Sequence, residues 1–134
     1  MPTVSHPFRL ALAGGSAALG LAVAHAQPAA TRIDVQLSEY KYVPAEIDLN
    51  RGQSYVLHLT NTGSKGHDFS AKAFFQAVSL APGSAAKVKN GGVDLDQGES
   101  ADIALVPQTA GTYDVKCTHF MHEMLGMKGK IVVR

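Results

Sequence analysis

The sequence predicts an all-β fold, a Greek-key β-sandwich of about seven or eight short strands. Three observations predict it. Apolar and polar residues alternate with a period of two in several short runs, the pattern of a strand buried on one face. Glycine, proline and asparagine turns separate those runs. No segment of the domain sustains a helical period.

The chain opens on a leader rather than on the domain. Arg9 is the only charged residue in the first twenty-six, an Ala/Leu/Gly-rich run extends from Leu10 to Ala24, and Ala24-His25-Ala26 has the small-x-small pattern of a signal peptidase site. Residues 1–26 are therefore expected to be a cleaved signal peptide, with no stable membrane anchor, because the run is shorter than the roughly 18 to 20 apolar residues of a spanning helix. The mature protein is then periplasmic or otherwise exported. Residues 27–30 form a linker, and residues 31–134 are long enough for one domain with one core.

Within that domain Ile33, Val35 and Leu37 alternate with Asp34, Gln36 and Ser38 as a first strand. Pro44 breaks the next stretch, Glu46 to Leu49 alternates again, and Asn50-Arg51-Gly52 turns the chain. From Ser54 to Thr60, Tyr55, Leu57 and Leu59 share one face, while Val56, His58 and Thr60 share the other. Ala71 to Val78 is expected to make a short helical turn, in a stretch from Ala71 to Asn90 whose role the sequence leaves open. Val93 to Asp96, Ala101 to Val106, Gly111 to Cys117 and Lys130 to Val133 complete the strands.

Arg9 leaves with the leader, which takes the formal net charge from +1 to zero. A neutral domain lacks the basic footprint that nucleic acid or an acidic membrane surface would require. The only cysteine, Cys117, has no partner for an internal disulfide, so in an exported protein it is a free thiol or a metal ligand. A catalytic nucleophile with His67 or His119 as base is a weaker alternative, since the chain offers no recognisable oxyanion loop.

The surroundings of Cys117 favour the ligand. The final segment, CTHFMHEMLGMKGKIVVR, contains that cysteine, His119, His122, Met121, Met124 and Met127. Cys117, His122 and Met127 follow one another at five-residue steps, with Gly126 and Gly129 bracketing the methionine. Two imidazoles and a thiolate in a plane with a weak axial thioether are the ligand set of a blue-copper site, and this loop supplies all but one imidazole. The best source of that imidazole is His67, placed just past Asn61 and Gly63 at the end of a strand, with His58 as the fallback. His119 competes with His122, because in an extended strand it would project to the same side as Cys117. Met124 competes with Met127.

At these residues the chain resembles the cupredoxins, small blue-copper electron carriers, and the Cys-x4-His-x4-Met spacing is that of the rusticyanin-like members. The resemblance covers roughly residues 31 to 134. It implies one copper ion held by His67, Cys117, His122 and Met127, no enzymatic activity, and a monomer passing single electrons between redox protein partners. It favours His122 over His119, and it implies a bond between the residues following the first histidine and the cysteine, here Asp68 and Thr118. The Asp is a departure, and its carboxylate would stabilise Cu(II). Another departure is Phe120-Met121, where many relatives carry Pro-Gly. Phe120, Met121, Met124 and Leu125 are expected either to pack internally or to form a docking patch for a redox partner. The alternative from another class is a protein for copper sequestration or delivery, for which the His/Met cluster would suit soft Cu(I).

Overall fold

The computed structural model describes residues 28–134 and, before them, Ala22, Ala24 and Ala26. The leader expected over residues 1–26 lies almost entirely outside the described residues. Among these there is no helix long and apolar enough to cross a membrane.

Two five-stranded sheets face each other. The first runs in the order β2 (Lys41–Val43), β1 (Thr31–Ser38), β4 (Tyr55–Asn61), β8 (Ser100–Pro107) and β6 (Val78–Leu80). The second runs β3 (Glu46–Leu49), β10 (Lys128–Val133), β9 (Gly111–Lys116), β5 (His67–Ser70) and β7 (Gly92–Leu95). Most neighbours are antiparallel, but β1 lies parallel to β4, with Val35 opposite Leu59, and β3 parallel to β10, with Ile47 opposite Ile131. A parallel pair needs a crossover, and here the crossovers carry the chain from one sheet to the other.

The period-two runs become the two inner faces. β4 alternates buried and half-buried residues along its whole length. Val35, Leu37, Leu57, Leu59, Ile103 and Leu105 of the first sheet meet Ile47, Leu49, Phe69, Val115, Ile131 and Val133 of the second in one core. Burying such side chains supplies the main driving force for closing the sandwich, about 1.5–3 kcal/mol for each fully buried large one.

The strand count exceeds the expected seven or eight. The additions include β2 and β6, three-residue edge strands too short to display an alternation, and β5. His67 accordingly begins a strand of its own rather than ending the preceding one. Short edges of this kind also limit unwanted pairing with other chains. The expected helical turn is α1 (Lys72–Gln76), whose Phe74 and Phe75 are buried in the core. A second turn, α2 (Pro82–Ala85), follows β6, so the stretch from Ala71 to Asn90 contributes packed structure.

Candidate metal centre

Four segments meet at one end of the sandwich. β5 starts with His67, β9 ends at Lys116 so that Cys117 stands just beyond it, and β10 resumes at Lys128. The intervening loop is tied by its own backbone: Met127 N–H donates to the His122 carbonyl at 3.0 Å, and Cys117 N–H to the Met127 carbonyl at 3.2 Å. His122 N–H donates to the His119 carbonyl at 3.1 Å. A five-residue spacing therefore brings Cys117, His122 and Met127 together because the chain doubles back on itself.

The donor atoms converge. His67 Nδ1 lies 3.2 Å from His122 Nδ1 and 4.0 Å from Cys117 Sγ, and His122 Nδ1 lies 3.4 Å from that sulfur. These separations suit three donors sharing one ion at bond lengths of about 2 Å. All three residues are buried, as is Met127, which lies between Cys117 and His122 in the backbone network. Nitrogen, thiolate and thioether donors in this combination fit copper.

His67 is oriented from behind. Its Nε2 faces Glu39 Oε1 at 3.2 Å, and that oxygen also accepts from Ser64 N–H at 2.8 Å and Lys65 N–H at 2.9 Å. Burial pushes the Glu39 carboxyl up, but the hydrogen bonds from His67 and the backbone outweigh it and hold the group at about 2. A carboxylate can only accept, so Nε2 carries the proton of neutral His67 and Nδ1 turns its lone pair toward Cys117 and His122. The loop bearing Ser64 and Lys65 is set by buried Asn61, whose Nδ2 donates to the carbonyls of Lys65 and Leu95 at 2.7 and 3.0 Å. Its Oδ1 accepts from Gly63 N–H at 2.9 Å.

Burial lowers the His122 basicity; repulsion from His67 and His119 in their protonated forms and from Lys65 adds to this, while Glu39 opposes it. This favours the neutral ring, the form that ligates. Burial pushes the Cys117 thiol up, although hydrogen bonds from the backbone N–H groups of Asp68 and His119 work the other way. Asp68 N–H lies 3.5 Å from the sulfur. A metal entering here has to displace the thiol proton.

The Asp68 and Thr118 pairing is present. Thr118 N–H donates to Asp68 Oδ1 at 2.9 Å and the Thr118 hydroxyl to Oδ2, which staples β5 to the start of the loop. His119 lies outside the donor cluster. Its ring stacks on His122 with centroids 5.6 Å apart, and its Nε2 meets Asp94 Oδ1 at 2.8 Å. His58 is on the outer face of β4, bonded to Asp102 at 2.6 Å, and so is not near the centre. Phe120 and Met124 are 89% and 82% exposed, and Met121 and Leu125 are also exposed, so these four do not pack internally.

Glu39 and Asn61 escaped the sequence reading. Glu39 lies twenty-eight positions from His67 on the turn between β1 and β2, and nothing local marks it. Asn61 could have been noticed as a polar residue continuing the buried face of Tyr55, Leu57 and Leu59.

The family model described as a cupredoxin-like domain matches residues 10–93, a span that includes His67 and stops before the 117–127 loop. No curated protein matches the sequence. Among solved structures, a dithionite-reduced auracyanin from Roseiflexus castenholzii is 24% identical, with a TM-score of 0.58 over 80% of this chain and 99% of its own. Auracyanin A from Chloroflexus aurantiacus, a "blue" copper protein, is 18% identical with a TM-score of 0.57, over 79% of this chain and 100% of its own. A multicopper oxidase from Campylobacter jejuni is 12% identical with a TM-score of 0.61, over 82% of this chain but 31% of that longer protein. At these identities the likeness is one of fold.

Proposed function

The chain belongs to the cupredoxin-like family, and from that premise we propose that it is an exported, monomeric blue-copper protein that carries single electrons between redox partners. One observation carries the proposal: His67, Cys117 and His122 offer their donor atoms to a common point within a buried end of the sandwich. The likeness to auracyanin A, itself a blue copper protein, supports it.

In this reading His67, Cys117, His122 and Met127 hold one copper ion, which supplies one-electron chemistry by alternating between Cu(I) and Cu(II). The protein's part is to keep the donors still. Glu39 sets the His67 tautomer, the Asp68 and Thr118 staple fixes the loop, and the two sheets restrain both, so little rearranges when charge changes. With every donor supplied by the chain, no position is left for a substrate, and the protein is not an enzyme. His122, at 8% exposure, is the least buried of the four, and its ring edge is the exit for an electron. The exposed side chains of Phe120, Met121, Met124 and Leu125 beside it form an apolar surface on which a partner protein docks.

The second reading, copper sequestration or delivery, draws on the exposed thioethers of Met121 and Met124. Optical and EPR spectra after one equivalent of Cu(II) separate the two. An intense thiolate-to-copper band with narrow copper hyperfine splitting, abolished in Cys117→Ser, is the expected result. A pale Cu(II) spectrum, or a colourless Cu(I) form that cannot be reoxidised to blue, would transfer the function to copper handling.

A further inference from the structure

Resting on the copper reading above, we propose that Glu39 is a positioning residue of the metal centre whose carboxylate, acting through the Nε2 atom of His67, biases the site toward Cu(II) and slows release of the ion. Three observations converge on it. One oxygen, Oε1, faces four donors: Ser64 N–H at 2.8 Å, Lys65 N–H at 2.9 Å, His67 Nε2 at 3.2 Å and the Ser64 hydroxyl at 3.4 Å. The carboxylate occupies the space a side chain would need at position 63, since a Cβ on Gly63 would stand 2.7 and 2.8 Å from its two oxygens. The loop that holds the carboxylate is the segment that leads into His67, and Asn61 pins it from inside. Carboxylate, loop and ligand ring thus form one unit, built from both sheets.

The physical consequence follows from charge. An imidazole whose N–H points at a carboxylate is a stronger donor, and a fixed negative charge on its far side favours the more highly charged ion. The Glu39 side chain is 27% exposed, so water screens that charge only in part. A purely structural role, fastening the turn between β1 and β2 to the 61–66 loop, would need the hydrogen bonds but not the charge.

Glu39→Gln separates these roles, because the amide oxygen keeps the acceptor position while the charge goes. The experiment uses the copper-loaded protein, with the midpoint from a redox titration and copper loss to excess EDTA as readouts. Asp48→Asn, which removes a surface charge on β3 beside Arg134, serves as the control. Glu39→Gln is expected to keep the thiolate band, shift the midpoint positive and weaken Cu(II) retention by about 10–100-fold, with Asp48→Asn unchanged. In the metal-free protein, nitrogen NMR is expected to find His67 as the Nε2–H tautomer, and Glu39→Ala to mix the tautomers. If Glu39→Gln leaves both midpoint and retention at wild-type values, or Asp48→Asn shifts them equally, the assignment is overturned although the copper reading stands. If the wild type itself gives no thiolate band, the copper reading falls, and the assignment with it.

Discussion

Asp68 shows how one side chain serves geometry and charge together. It is almost fully buried, its two oxygens accept from the Thr118 backbone and hydroxyl, and its N–H points at the Cys117 sulfur. Asparagine preserves the shape and the acceptor for Thr118 N–H while removing the charge. Asp68→Asn is therefore expected to raise the copper midpoint, and an unchanged or lower value in a redox titration would contradict that. Asp102 acts far from the centre, on the outer sheet face. The His58 hydrogen bond holds its carboxyl below the ordinary value; burial opposes this, and the charges of His58, Arg32 and Lys87 reinforce it. A carboxyl depressed by folding stabilises the protein above its unfolded value, near pH 4, and that contribution fades as pH falls through the folded value. Asp102→Asn should thus cost about 0.2–1 kcal/mol at pH 7, less in high salt, because the side chain is more than half exposed. Thermal unfolding at pH 7 and pH 3 checks this: the difference from wild type should narrow in acid, and one that stays the same would refute the linkage.

Strand pairing anchors the end of the 117–127 loop, because β10 pairs with both β3 and β9. β10 carries Ile131 and Val133 inward, and Gly129 precedes them on the same face. A Cβ at Gly129 would come within 2.6 Å of the Ala45 carbonyl, whose oxygen already accepts from Lys130 N–H at 2.9 Å. Because the obstacle is backbone, Gly129→Ala must shift β3 against β10, at a cost of about 1–3 kcal/mol. Urea unfolding of the metal-free variant should show a lower midpoint with an unchanged slope. No change in midpoint would mean the two strands part more easily than their register suggests. The alternation of β1, β3, β4 and β8 was legible because period-two burial is local information. The three-residue strands β2 and β6 were not, since their existence depends on the neighbour they pair with.

The proposed copper centre draws together residues from 39 to 127, and no single element contains it. An ion shared by β5, the 117–127 loop and, through Glu39, the first sheet would bind the folded chain in preference to the unfolded one. One equivalent of copper should therefore raise the thermal midpoint, and removing it with a chelator should restore the lower value. Cys117→Ser should lose most of that gain; equal stabilisation of the variant would place the ion elsewhere. The amino-acid order was enough to reveal a β-sandwich and to set Cys117, His122 and Met127 at regular steps in one loop, with the family resemblance favouring His122 over His119, because alternation and short loop spacings survive in one dimension. Folding in three dimensions decided that β1 lies parallel to β4 and β3 to β10, that His67 faces Cys117 while His58 faces Asp102, and that Glu39 stands behind the His67 ring. Such contacts join residues tens of positions apart, and their energies depend on distances that exist only once the sheets have closed over a common core.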